Sequence, residues 1–338
     1  MRDKPLVSIL TPCYNGGAYV DRFFETVMAQ TYPNIELIFV DDGSTDDTFD
    51  KAGAWRGRLE ERGIAFKLLT HPNGGQASAI NLGLPDVTGD YVTWPDSDDI
   101  MDSRNIEKKV EYLEAHPEKG LVVCDVIQVA ESDLDTVIHR SVFDDSTPRI
   151  FDGLIREKAG YYCSDNAYLV RSDALFSVIG GRRIYESRSG QNWQLLFPLT
   201  YHYDCGFIHQ DLVTYVVRDD SHSRSYVSLN DQLQRTYELE DIIEHVLPTM
   251  GMNGKDFEHY MRFAKVKYLH QRFNIAIKMG DRVLARKFKG ELDAAHGPSF
   301  KRELLTLICV AGLGPVSHSV AHAVKDMVRA VHRGTIGK

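Results

Sequence analysis

Over the first 130 residues, short apolar runs rich in strand formers alternate with stretches whose apolar positions recur at helical spacing. Leu6-Val7-Ser8-Ile9-Leu10 reads as a strand stopped by Pro12, and Cys13-Tyr14-Asn15-Gly16-Gly17 as the loop behind it. Residues 18–31 place Val20, Phe23, Phe24, Val27 and Met28 on one helical face, and Pro33 ends the pattern. Ile35-Glu36-Leu37-Ile38-Phe39-Val40 is a second strand. It breaks at Asp41-Asp42-Gly43-Ser44-Thr45-Asp46-Asp47, where Ser44 or Thr45 is placed to cap the next helix. A third strand over 64–69, the loop His71-Pro72-Asn73-Gly74-Gly75 and a helix over 76–84 follow. Then come a strand over 90–94, a helix over 103–116 and a strand over 121–129. Such alternation predicts an α/β fold with a mostly parallel sheet covered by helices, and ligands in the crevice beyond the carboxyl ends of the strands. The loops after Leu10, Val40, Leu69 and Trp94 then share one edge, and they hold Tyr14, Asp41, Asp42, Asn73 and a dense acidic cluster.

From residue 131 the signal weakens. Ser132-Asp133-Leu134-Asp135 suggests a hairpin turn between strands at 126–130 and 136–140. Residues 167–170 read as a strand, and Ser172 as the cap of a short helix ended by Gly180-Gly181. Residues 190–199 have helical spacing and 206–218 a strand pattern, and beyond 228 the chain turns almost wholly helical. A domain over 1–227 and a helical appendage over 228–338 are therefore expected, in keeping with a length that exceeds one ordinary core. The apolar tail 304–330 is interrupted by Gly-Pro and by His318 and His322, which argues against a membrane span. A surface helix flanked by Lys325, Arg329 and Arg333, giving peripheral membrane contact, and ordinary helix packing both remain open.

A formal net charge of −9 excludes a nucleic-acid surface as the main business of the chain, because phosphate neutralisation needs clustered cations. The five cysteines, Cys13, Cys124, Cys163, Cys205 and Cys309, are scattered through mostly apolar runs without zinc-ligand spacing, and read as reduced core residues. The amino terminus enters a strand with no secretory apolar region, so the expected address is the cytoplasm, extending to the inner face of the membrane if the tail lies on it. The first loop, TPCYNGG, matches neither the dinucleotide glycine fingerprint nor the phosphate loop with its lysine.

The chemistry concentrates in Tyr91-Val92-Thr93-Trp94-Pro95-Asp96-Ser97-Asp98-Asp99, an apolar strand ending in three crowded carboxylates. Carboxylates at this density repel one another unless a cation or solvent offsets them, and an all-oxygen set suits a hard divalent ion such as Mg2+ or Mn2+. A solvated acidic turn capping the helix near Ser103 is the alternative.

Five segments in this order, VSILTPCYNGGAYV, IELIFVDDGSTDDT, NGGQASAINLGL, GDYVTWPDSDD and, less closely, GQNWQLLFPL, make the chain resemble glycosyltransferase family 2, the inverting nucleotide-sugar enzymes of GT-A fold. The resemblance covers about the first 200 residues and divides 1–227 into a nucleotide-binding half, 1–130, and an acceptor half, 131–227. It implies a metal-dependent transfer of sugar from a nucleotide diphosphate, commonly UDP, to a glycan or lipid-linked acceptor in bacterial surface polysaccharide synthesis. GDP- or dTDP-sugar donors and a catalytically silent nucleotide-binding module are the alternatives. It places Pro12 and Tyr14 against the base, Asp42 as its hydrogen-bond acceptor, Asp41 in support, and Asn73 with Gly74-Gly75 beside the nucleotide. Asp96 falls at the ribose or sugar, and Asp98 at the Mn2+ or Mg2+ with Asp99 in support. His222, with Arg218, lies where relatives carry a basic residue near the diphosphate or metal. The family's acidic pair before a tryptophan is here Gln191-Asn192 before Trp193, and amides cannot take a proton. Gln191 and Asn192 are left as sugar-binding candidates, and Glu186 becomes the nearest candidate base, with Asp204 and Asp165 behind it.

Overall fold

A computed structural model describes residues 4–161, 167–188, 190–218 and 226–311. The chain divides into two compact units, Met1–Asp219 with His245–Gly251, and Asp220–Glu244 with Met252–Lys338. In the first, strands β1 (Val7–Cys13), β2 (Ile35–Asp41), β3 (Ala65–Thr70) and β4 (Tyr91–Thr93) alternate with helices α1 (Val20–Met28), α2 (Thr48–Ala54), α3 (Arg56–Glu61) and α4 (Gln76–Gly83). Then come β5 (Ile100–Met101), α5 (Asn105–Ala115), β6 (Lys119–Ala130), β7 (Asp133–Ser141), α6 (Phe151–Ile155), β8 (Tyr168–Arg171), α7 (Ser172–Val178), α8 (Gln191–His202) and β9 (Asp204–Val217).

These strands form one sheet in the order β3-β2-β1-β4-β8-β6-β9-β5, with β7 beside β6. The four strands at the β3 end are mutually parallel, as expected. The remainder is mixed: β8 runs antiparallel to β4 and β6, β5 to β9 and β7 to β6, while β6 and β9 are parallel. The cause is connection length. β6 and β7 are joined only through Glu131 and Ser132, and a link that short permits a hairpin but not the crossover a parallel pair needs.

β1, β2 and β4 read as continuous apolar runs because both faces are covered, whereas the edge strand β3 is partly exposed. On one face, Phe24 of α1 stacks on Trp55 at 5.5 Å between ring centroids and meets Phe66 edge-on at 5.7 Å. Pro12 does not end β1, which runs on to Cys13. β4 pairs with β1 only through Ile9, so beyond that point β1 has lost one neighbour and the proline's absent N–H costs no ladder bond. The same early end of β4 opens the crevice beside the carboxyl end of β1.

Two expected caps are not used. α2 begins at Thr48 without a side-chain cap, because Ser44 and Thr45 bond to Asn15 instead. Ser172 lies inside α7, behind Arg171. Cys13, Cys124, Cys205 and Cys309 are buried free thiols, and Cys163 lies outside the described residues.

The second unit is helical, as expected. It holds α9 (Leu229–Val246) up to residue 244, α10 (Gly254–Met279), α11 (Arg282–His296) and α12 (Phe300–Val310). Phe273, Ala276, Phe288, Leu292 and Cys309 form its core. Left-handed Gly280 ends α10, and the Asp281 carboxylate caps α11 by accepting from the Val283 and Leu284 N–H groups. Among the described residues no helix is long and apolar enough to cross a membrane, and the tail beyond residue 311 lies outside them.

Candidate functional site

Because β1 to β4 are parallel, their carboxyl ends bring four loops to one edge. The first two are tied together by the chain's own polar groups. Asn15, in the left-handed region at φ +49°, donates its N–H to Ser44 Oγ at 2.9 Å and accepts from the Thr45 N–H at 2.8 Å. The N–H of Gly16 donates to Thr48 Oγ1 and that of Gly17 to Asp46 Oδ2. Burial works against the charge of Asp46, yet the hydrogen bonds from Thr48 and Gly17 prevail and hold its carboxyl below the usual range. Beside this tie Tyr14 is 47% exposed, a free aromatic face at the sheet edge rather than a core residue.

Asp41 and Asp42 are both buried. Asp41 accepts from the Ser44 N–H and from Thr70 Oγ1. The Asp42 carboxylate is engaged by the third loop. Oδ1 takes the Gly74 N–H at 2.9 Å, and Oδ2 takes the Gly75 N–H at 2.9 Å and Asn73 Nδ2 at 3.1 Å. His71 Nε2 also lies 2.9 Å from Oδ1, without hydrogen-bond alignment. Asp42 therefore shapes the loop over 71–75. Gly43, at φ +69°, makes the approach possible: a Cβ there would lie 2.5 Å from the Asn73 backbone nitrogen.

The fourth loop carries the acidic cluster, in which Asp96, Asp98 and Asp99 bring carboxylate oxygens within 4.8 Å of one another. Asp99 is buried and accepts the Val216 N–H at 3.0 Å, which fastens the end of β9 to the cluster. Asp98 Oδ2 is gripped by Arg218, from Nη2 at 2.9 Å and Nε at 3.1 Å, and the Arg218 guanidinium lies 4.2 Å over the Tyr19 ring. Arg22 of α1 donates to the Asp98 carbonyl at 2.8 Å. Beneath the cluster Cys13 bonds to Ser97, and burial pushes its thiol up to about 12, which leaves it an inert packing group. The all-oxygen donor set of Asp96, Asp98 and Asp99 fits a hard divalent ion held by one or two of these carboxylates, while Arg218 already occupies one Asp98 oxygen. Sequence singled out Arg218 with His222 as a basic residue near the diphosphate or metal, and missed Arg22 and Tyr19. Their partners are 76 to 199 positions away along the chain, so no local motif could signal them.

The remaining candidates are distributed unevenly. Asn192 Oδ1 accepts from Trp94 Nε1 at 2.9 Å, so the first turn of α8 is bonded to the strand that ends in the acidic cluster. Gln191 is buried beside it, and Gln194 donates to Ser187. The stretch over 182–188 is pinned by Asn81, which exchanges two 2.8 Å bonds with Ile184, and it passes Gly75 so closely that a Cβ there would lie 3.0 Å from Arg188 Cα. Glu186, on this stretch, is half exposed and paired with Arg183 at 2.5 Å. Asp204 pairs with Arg149 and Lys119 at the opposite end of β9 from Val216, roughly 40 Å of strand away, which removes it from the site. His222 and Asp165 lie outside the described residues.

Parallel strands whose carboxyl-end loops are tied together beside an acidic cluster are the frame of an α/β enzyme of GT-A type. The family model "Glycosyl transferase family 2" matches residues 8–176, and the chain belongs to that family. Among curated relatives, the putative teichuronic acid biosynthesis glycosyltransferase TuaG of Bacillus subtilis is 37% identical over 110 residues, 32% of this chain and 42% of TuaG. The chain spans less than half the length of the curated relatives it matches. Among solved structures, S. aureus TarS 1-349 in complex with UDP-GlcNAc superposes with a TM-score of 0.61 at 18% identity, covering 90% of this chain and 87% of that one. The mannosyltransferase PcManGT of Pyrobaculum calidifontis, in complex with GDP-Man and Mn2+, gives 0.52 at 17% identity, with 91% and 85% covered. At these identities the two structures share the fold.

Proposed function

We propose that the chain transfers a sugar from a nucleotide diphosphate donor, with UDP-sugars first in line, to a glycan or lipid-linked acceptor in surface polysaccharide synthesis, inverting the transferred centre. The single observation that carries this reading is the clustering of Asp96, Asp98 and Asp99 at the carboxyl edge shared with the interlocked loops after β1, β2 and β3. Tyr14 stacks on the base and Pro12 presents backbone to it. Asp42 accepts a hydrogen bond from the base, with Asp41 supporting its loop, and Asn73 and Gly75 line the nucleotide. Asp96 meets the ribose or sugar. Asp98, supported by Asp99, would hold Mn2+ or Mg2+, with His222 as a further ligand. When bound, that ion supplies charge neutralisation for the departing diphosphate.

Inversion needs a group that takes the proton of the acceptor hydroxyl. Glu186 is proposed for it. Its carboxylate is on a stretch pinned beside the third loop, and its exposed pair with Arg183 is of the kind that opens at little cost. Gln191 and Asn192 hold the donor or acceptor sugar, Asn192 through a first turn already bonded to Trp94. That bond also favours a second reading, a nucleotide-binding module without turnover, because an amide stands where relatives carry an acid. The nucleotide-sugar complexes of TarS and PcManGT support a donor site on this fold, one with a UDP-sugar and the other with a GDP-sugar and Mn2+. The name of TuaG supports the polysaccharide setting.

The test is nucleotide release and sugar transfer measured over UDP-, GDP- and dTDP-sugars, with and without Mn2+. Metal-dependent release with UDP-sugars is expected. Tight nucleotide binding with no release from any donor would leave the silent module standing.

A further inference from the structure

Arg218 and the metal reading compete for the same atom. The guanidinium reaches Asp98 Oδ2 through two nitrogens, at 2.9 and 3.1 Å, and both side chains are largely shielded from solvent. The fork geometry and the Tyr19 ring 4.2 Å from the guanidinium carbon hold it there. Arg22, bonded to the Asp98 carbonyl at 2.8 Å, adds a second positive charge on the same residue. A divalent cation approaching Asp98 therefore meets an oxygen already held by a guanidinium, which offsets the attraction of the neighbouring Asp96 and Asp99 carboxylates, while the charge of Arg22 is shared with Glu131 at 4.0 Å; the setting is partly desolvated, so these Coulomb terms are weakly screened.

We propose that Arg218 is a counter-cation that makes metal binding conditional on the nucleotide. Without nucleotide its guanidinium neutralises Asp98 and holds off the divalent ion. When a nucleoside diphosphate arrives, the guanidinium exchanges the Asp98 carboxylate for a phosphate oxygen, and Asp98 becomes a metal ligand. Both partners of Arg218 are oxyanions suited to its planar fork, so the exchange trades one charge-assisted pair for another. The device prevents the acidic cluster from loading metal alone, and it couples the two ligands so that each tightens the other by the same factor. Arg218 is a positioning residue in this scheme, and the scheme rests on the metal role proposed for Asp98.

The experiment measures Mn2+ binding by electron paramagnetic resonance of free Mn2+, with and without UDP, in the wild-type chain and in Arg218→Gln, Arg218→Lys and Asp98→Asn, each shown to be folded by circular dichroism. Wild type is expected to bind Mn2+ weakly alone and about tenfold or more tightly with UDP. Arg218→Gln, which removes the charge, is expected to bind Mn2+ alone about tenfold more tightly than wild type and to lose most of the gain from UDP. Arg218→Lys, which keeps the charge, stays close to wild type. Equal or weaker Mn2+ binding by Arg218→Gln without UDP, in a chain whose wild type binds Mn2+ with UDP, overturns the inference and leaves the metal reading intact. Wild-type binding with UDP that Asp98→Asn does not weaken overturns both.

Discussion

The two halves of the first unit are built on different principles. Over residues 4–130, β1 to β4 pair in parallel with one another, β1, β2 and β4 are covered on both faces, and the loops at the functional edge are locked by the chain's own hydrogen bonds. Over 131–218, β7 is exposed along nearly its whole length, pairings are mostly antiparallel with register shifts, and the stretch carrying Glu186 is held by a few side chains from elsewhere. A base and diphosphate need a preformed cradle, because each donor group left unpaired costs affinity. An acceptor varies in shape and must enter and leave, which suits the less constrained half. The first half is therefore expected to govern nucleotide affinity and the second turnover, and substitutions can test that division.

The largest effect is expected at Glu186. General-base catalysis contributes about 100- to 10,000-fold, so Glu186→Gln should lower kcat on that scale while nucleotide affinity by calorimetry stays near wild type. Gln191→Ala, measured with the same donor and acceptor, should mainly raise KM. Near-normal turnover in Glu186→Gln would sink the assignment, and Asp165 becomes the next carboxylate to substitute.

Asp98→Ala probes the opposite side of the division. Loss of the carboxylate proposed to hold the metal should weaken Mn2+-dependent UDP binding by roughly 100-fold and lower the melting temperature modestly, because the largely shielded Arg218 loses that partner. UDP affinity that is the same with and without the substitution removes the metal role.

How much of this division is legible in the sequence follows from where each contact is made. β1 to β4 and their loops are written locally, as apolar runs punctuated by glycine, proline and aspartate, and the structure keeps them within a few residues. Pro12 misleads because its tolerance depends on where β4 stops, at Thr93, 81 positions away. Asp42 carries no local sign of the loop over 71–75 that folds onto it. Arg218 becomes part of the site only because the buried Asp99 draws in the end of β9. The weak signal over 131–166 has a plain cause: an exposed strand such as Asp133–Ser141 has no buried face to impose a period of two.

A middle-sized effect is expected at Gly43, where two loops of the rigid half meet. Gly43→Ala forces a Cβ to 2.5 Å from the Asn73 nitrogen at a backbone φ of +69°, and neither the loop over 71–75 nor the carboxylate of Asp42 can yield independently. A loss of about 1 to 3 kcal/mol in urea unfolding is expected, with weaker nucleotide binding alongside. An unchanged unfolding midpoint would show that the loops are less locked than their hydrogen bonds imply.

The smallest effect sharpens the division from the looser half. His209 sits where β9 shifts register against β6, with Nε2 3.2 Å from Asp145 and Nδ1 3.4 Å from the buried Asp125; Arg140, Asp211 and these carboxylates are the charged groups around it. The hydrogen bond to Asp145 raises its pKa, burial opposes the rise, and the bond to Asp125 reinforces it. A histidine raised in the folded state stabilises fully below its unfolded pKa of about 6.5, and that contribution is lost as pH climbs through the folded value. With the ring 44% exposed, solvent screens most of the gain, so only a slight fall in melting temperature between pH 6 and pH 8 is expected. Titration of the His209 ring by NMR should give a pKa above 6.5 in wild type and a value closer to 6.5 in Asp145→Asn. Nucleotide affinity should not follow that titration, since the loops proposed to bind nucleotide belong to the other half. A wild-type value at or below 6.5 would remove the pairing, and a nucleotide affinity that tracks His209 would show that the two halves are coupled rather than divided.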